Sequence, residues 1–130
     1  MVVRTFTPDN DYAIIEQWWL AHGSYPPKLE HLSATGLLVE EGGKPICNGF
    51  LYKTDSKICV FEFVCCDPNA DKKVRDKALD QLIKAATQWA KNNNFTLIYT
   101  SVNSYKYILR LEDNGFIEVD NNMTHMFYEV

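Results

Sequence analysis

The sequence predicts one α/β domain spanning residues 1–130, of α+β type: a central mixed, mostly antiparallel sheet flanked by helices. Three observations predict it. Apolar runs between Gly36 and Cys66 are divided by the short polar connectors Gly42-Gly43 and Asp55-Ser56, the pattern of an antiparallel meander. The segment after Asp71 repeats Val74, Ala78, Leu82, Ala85 or Ala86, and Trp89 at three to four residues, the period of an amphipathic helix. A strand-like run, "TLIYTS", follows that helix, which implies a parallel crossover.

Each element has its own signal. "VVRTF" is a short strand, closed by a turn at Thr7-Pro8-Asp9. From Asp11, "DYAIIEQWWLAHG" carries Ile14, Ile15, Trp18, Trp19 and Ala21 at helical spacing, and Gly23 stops it. Pro26-Pro27 bars regular helix at the start of the next stretch, where "KLEHL" can form one helical turn. The meander follows as "GLLVEE", "PICNGFLYKT" and "KICVFEFVCC". The last of these is apolar on both faces and so central, with Glu62 as its one charge. "NSYKYILRLEDNG" is a helix with Tyr107, Ile108 and Leu111 inward and Gly115 near its end. "FIEV" and "MTHMFYEV", joined through Asp120-Asn121-Asn122, complete the sheet as a hairpin.

Composition excludes several function classes. A hydrophobic content of 46% lies well above the disordered range. A net charge of −4 argues against a nucleic-acid surface, since phosphate contacts need a dominant basic field. No apolar run approaches the ~20 residues of a membrane span. "MVVRTFTPDNDY" turns polar too early for a signal peptide, so the cytoplasm is the expected compartment, without a membrane partner. Cys47, Cys59, Cys65 and Cys66 lie in apolar stretches as small hydrophobes and form no CxxC. His22, His31 and His125 lack ligand spacing, so no metal site is expected. A nucleophilic Cys65 or Cys66 would need a neighbouring base, and the sequence sets no histidine beside either.

Against that acidic background one junction is basic. "CCDPNADKKVRDKALDQLIKAATQWAKNN" passes from strand through polar loop into the long helix, with Lys72, Lys73, Arg75 and Lys77 at its start. Cations are disfavoured at a helix N-terminus, where the dipole and unpaired N–H groups attract an anion. The cluster marks an anion site or a solvated helix end.

The succession of elements, "DP" before the long helix, and "NSYKYILRLEDNGF" near the end together resemble the GNAT N-acetyltransferases over nearly the whole chain. The resemblance implies the acyl-CoA N-acyltransferase fold and transfer of an acetyl group from acetyl-CoA to a primary amine of a small molecule or protein. It implies that the main chain of Val64, Cys65 and Cys66 bonds the pantetheine arm as an added strand, where the fourth strand parts from the fifth. It also implies that the diphosphate sits at Lys72, Lys73, Val74, Arg75, Asp76 and Lys77, with Asn103 and Ser104 completing the cofactor site. The family pattern here is Arg or Gln, two residues, Gly, one residue, then Gly or Ala. Two registers are open, "RDKALD" from Arg75 and "DKKVRD" ending at Asp76, and both set an aspartate at the second small position.

Such a reaction needs a base for the ammonium and a donor for the departing thiolate. Glu62 is the candidate base, since an apolar strand raises a carboxyl pKa. The alternative is a Glu paired with a basic residue or facing solvent at the sheet's margin. The family's usual Tyr falls on Leu111, which has no proton to give. Tyr107, one helical turn earlier, is the candidate acid, with Tyr105 nearby; each reads equally as an aromatic of the core or surface. Trp18, Trp19, His22 and Tyr25 would wall the acceptor side, with Pro26-Pro27 stiffening it. Adjacent Trp residues cannot both face one core, so one is expected near the surface or a cleft. Leu111 and the misplaced aspartate also support a different class: a catalytically silent GNAT-like module that holds CoA or a protein partner. The resemblance further implies a homodimer through the last strands, which the residues themselves do not show.

Overall fold

The computed structural model describes all 130 residues. Strand β1 (Val2–Thr5) leads into helix α1 (Pro8–Ala21). Thr7 is the helix N-cap and Pro8 its first residue, so the turn expected at Thr7-Pro8-Asp9 is instead the helix's own first turn. Proline is at home there because the N–H it lacks has no intrahelical partner. A 3-10 turn at Leu29–His31 realises the short helix expected in "KLEHL". Then come β2 (Thr35–Glu41), β3 (Lys44–Lys53), β4 (Ile58–Cys66), α2 (Lys72–Asn92), β5 (Leu97–Tyr99) and α3 (Tyr105–Asp113).

The five strands form one sheet in the order β1-β2-β3-β4-β5. The first four pair antiparallel, and β5 joins β4 in parallel after the α2 crossover. This is the mixed, mostly antiparallel sheet that the sequence predicts. Each face is covered by one helix. On one side Ala78, Leu82, Ala86 and Ala90 of α2 pack on Val39, Cys47, Leu51, Cys59 and Phe61. On the other, Ile15 and Trp18 of α1 pack on Phe6, Leu38, Phe50 and Cys65. A partly buried ion pair anchors α1 to the sheet. Arg4 on β1 donates twice to Asp11, at 2.7 and 2.8 Å, and once to Glu40 at 2.9 Å.

The C-terminal hairpin does not form. Residues 116–130 contain no strand, and Ile117, Val119, Met126, Phe127 and Tyr128 are exposed. Lys28 holds Glu129 at 3.0 Å. Alternating apolar residues give a segment the capacity for a strand, but pairing needs an edge in register. The only edge that the crossover leaves at this end is β5, which is three residues long.

Candidate functional site

The site is built on a slip in β4. Cys59 and Phe61 face the α2 side, so strict alternation would send Phe63 there too. Phe63 instead packs on the α1 side, and Val64 and Cys66 return to the α2 side. The phase changes because Phe63 and Val64 together oppose Gly49, between the pairs Phe50↔Glu62 and Asn48↔Cys65. This is a β-bulge, and it puts Glu62 and Phe63 in succession on the α1 side. Phe63 adopts φ 55, the left-handed region, at a cost of ~1–2 kcal/mol for a residue with a side chain.

Two neighbours hold that conformation. A Cβ on Gly49 would lie 2.6 Å from the Phe61 ring, so only glycine lets the strands approach here. Asn48, fully buried, donates its Nδ2 to the Phe63 carbonyl at 3.1 Å, and its Oδ1 has no partner. Backbone strain over-determined by its surroundings is found at working sites. In the sequence Asn48 is marked only as a lone amide between apolar neighbours of β3.

A cleft opens beside the bulge. β4 and β5 pair only at Ile58↔Leu97, Cys59↔Ile98 and Val60↔Tyr99. Beyond them side chains replace the ladder: Thr100 Oγ1 donates to the Phe61 carbonyl at 2.6 Å, and the Ser101 N–H donates to Glu62 Oε1 at 2.8 Å. From Glu62 to Cys66 the outer edge of β4 has no neighbouring strand, which includes Val64, Cys65 and Cys66. The Cys66 carbonyl is already bonded there, by His22 Nε2 at 2.9 Å.

Glu62 lies at this opening, and Tyr107 of α3 is near enough to feel its charge. Burial raises the Glu62 carboxyl above its ordinary pKa, while the Ser101 N–H and the charge of His125 draw it partly back. Burial raises the Tyr107 phenol strongly, and the nearby Glu62 carboxylate raises it further. The Tyr107 hydroxyl is buried and has no hydrogen-bond partner. Leu111 is buried one turn away on the same helix. Tyr105 is exposed, and Ser104 is the N-cap of α3, accepting from the Tyr107 N–H. Asn103 is exposed just before it.

The two tryptophans divide as their adjacency requires. Trp18 is in the core, and Trp19 lies edge-on to Phe63 at the bulge, 6.3 Å between centroids, with its indole N–H unpartnered. Tyr25 is 95% exposed and joins no wall of the cleft. The four cysteines are free thiols. Burial pushes Cys65 up to about 12, which leaves it unreactive as a nucleophile near neutrality. No group of three or more His, Cys, Asp or Glu is placed to hold a metal ion.

At the basic junction the helix start is capped from within the chain. Asp71 is the N-cap of α2, and its Oδ1 accepts from the N–H groups of Lys73 and Val74 at 2.9 and 3.3 Å. The negative charge that the helix start calls for is thus supplied by the chain itself. Lys72 pairs with Asp76 at 3.4 Å, and Arg110 of α3 pairs with the same carboxylate at 3.4 Å. Val74 is turned into the α2 side of the core. An aspartate directly before a helical period was the available signal for this cap.

No protein-family model matches the sequence, and no curated protein matches it. Solved structures match its shape. The TTHA1254 protein of Thermus thermophilus superposes with a TM-score of 0.71 at 16% identity, over 100% of this chain and 99% of that one. The ribosomal-protein-S18-alanine N-acetyltransferase of Escherichia coli gives 0.71 at 12% identity, over 92% of this chain and 79% of its own. An aminoglycoside acetyltransferase from an uncultured soil metagenomic sample gives 0.65 at 13%, over 99% and 95%. The element order and these superpositions together show that the chain has the fold of the GNAT acetyltransferases.

Proposed function

We propose that this protein moves an acetyl group from acetyl-CoA to a primary amine of a small molecule or protein, in the cleft where β4 and β5 part. The observation that carries the reading is a half-buried carboxylate at the strand opening, Glu62, with the unpartnered buried hydroxyl of Tyr107 near enough to feel its charge. The residues present suit the pantetheine arm of the donor: β4 has no neighbouring strand at Val64, Cys65 and Cys66, with only the Cys66 carbonyl taken, by His22, and the bulge turns the main chain beside it. When bound, the thioester supplies an acyl carbon already activated toward an amine.

Each residue then has a defined task. Glu62 removes the proton from the incoming ammonium, directly or through one water, and its raised pKa brings it toward the pH at which it works. The Ser101 N–H fixes Oε1 and leaves Oε2 to accept. Tyr107 stays protonated, because its pKa is raised, and donates a hydrogen bond to the developing thiolate. Trp19 and His22 border the acceptor side. The relatives of known acceptor act, by their names, on aminoglycosides and on an alanine of a ribosomal protein; here the acceptor is assigned only as an amine.

A second reading has observations of its own. Leu111 stands buried where the usual Tyr would be, and Asp71 occupies the α2 N-terminus. Both favour a silent module that binds without turnover. Release of free thiol from acetyl-CoA across a panel of amines separates the two. The enzyme releases thiol, and Glu62→Gln lowers the rate about 100-fold or more. Binding without thiol release from any amine supports the silent module. Absence of any thermal stabilisation by the thioester sinks the enzyme and the CoA-holding module and leaves only a module that binds a protein partner, since saturation at ~100 times Kd adds about 2.7 kcal/mol.

A further inference from the structure

Two of the four free thiols face each other across the sheet. Cys47 of β3 stands opposite Cys66 of β4, and both side chains lie on the α2 side. The hydrogen bonding fixes the kind of pair. The Asp67 N–H donates to the Ile46 carbonyl at 2.8 Å, so Ile46 and Asp67 form a hydrogen-bonded pair. Their neighbours in the register, Cys47 and Cys66, are therefore a non-hydrogen-bonded pair, the class in which opposed Cα atoms approach to about 4.5 Å. A disulfide spans Cα separations of about 4.4–6.8 Å, so this pair is within bonding reach in its native register. The other two cysteines have no such partner. Cys65 faces the α1 side, and Cys59 stands opposite Lys53.

The two thiols differ in access. Cys47 is fully buried, and its contact with Cys66 and its burial push the thiol far up, so it does not start a reaction. Cys66 is partly exposed, on the stretch of β4 that has no outer neighbour. A small oxidant that reaches Cys66 finds Cys47 directly behind it. An accessible thiol poised next to a resolving one is the arrangement of a reversible dithiol.

We propose that Cys47 and Cys66 are an oxidation site, where a peroxide converts the two thiols to a cross-strand disulfide that a dithiol reductant reopens. The Cys66 sulfur attacks one peroxide oxygen; the O–O bond breaks, an S–O bond forms, and the Cys66 proton leaves with the other oxygen as water. The Cys47 sulfur then attacks the Cys66 sulfur; the S–O bond breaks, the S–S bond forms, and the Cys47 proton leaves with the hydroxyl as a second water. Two thiols are oxidised and one peroxide is reduced to two waters. The proposal goes beyond acyl transfer and does not depend on it. The bond ties β3 to β4 at the edge assigned above to the donor's arm.

The test treats the purified full chain with hydrogen peroxide, alkylates the remaining thiols in denaturant, and reads the intact mass and the linked peptides. The wild type should lose the mass of two hydrogens, keep two alkylatable thiols of its four, and recover all four after dithiothreitol. Fragmentation of the linked peptide should join Cys47 to Cys66, an assignment that does not depend on how any variant folds. Cys66→Ser should lower the yield of linked protein by about tenfold or more, and Cys65→Ser, on the opposite face, should leave it unchanged. Four alkylatable thiols after peroxide overturn the proposal. So does a gain of oxygen without linkage, linkage through Cys59 or Cys65, linkage between two chains, or full linkage in Cys66→Ser.

Discussion

Glu62 sits half-buried on β4, and its protonation is linked to folding. Its folded pKa is raised above the ~4.3 of an unfolded Glu. The native state therefore holds the proton more tightly, and the associated stability is complete below the unfolded pKa and is lost as pH rises through the folded one. Glu62→Gln keeps an oxygen for the Ser101 N–H and removes the buried charge. The variant should be more stable than the wild type at pH 7, and the gap should close below about pH 4. Urea unfolding at the two pH values checks this; an equal loss at both would show that the carboxylate is not held against its charge. That a glutamate lay on an apolar strand was legible in the sequence. Its partner was not, because Ser101 lies 39 positions away and reaches it only where the strands part.

At the scale of elements, the β4 bulge is the feature on which the cleft depends. Its strained Phe63 is held by Asn48 and allowed by Gly49. Asn48→Ala removes the donor to the Phe63 carbonyl and leaves a gap in the core. The expected loss is ~1–3 kcal/mol by urea unfolding. Because the bulge aims the β4 edge, thioester affinity should also fall in the folded variant. A loss of stability with unchanged affinity would separate the bulge from the site. The helices and the meander were legible from period and turn residues. The slip in β4 was not, since an unbroken apolar run hides a change of phase that two faces of packing reveal.

For the molecule as a whole, α1 and the sheet are joined through the Arg4–Asp11 pair. Asp11 is 1% exposed and accepts from Arg4 twice and from the Thr7 N–H and hydroxyl. The Arg4 guanidinium holds the Asp11 carboxyl below its usual range against the opposing effect of burial. A depressed carboxyl pKa contributes stability above the unfolded value of ~3.9, which is lost as pH falls through the folded value. Asp11→Asn should cost ~2–3 kcal/mol at pH 7 and should blunt the wild type's loss of stability in acid. Urea unfolding between pH 7 and pH 3 checks both; an unchanged acid limb would remove Asp11 from the linkage.

The sequence by itself determined the elements up to α3, their order and the crossover, because these follow from local periodicity and turn chemistry. It also placed Glu62 and Tyr107 as candidates and divided Trp18 from Trp19. Tertiary structure alone decided that Tyr107's hydroxyl stands unpartnered, that Asn48 clamps a bulge, and that residues 116–130 form no strand. It also decided the basic junction, where Asp71 and Asp76 answer charges that sequence order left open. The reason is common to all of these: each depends on partners brought together from distant positions, and local pattern carries no record of which partner arrives.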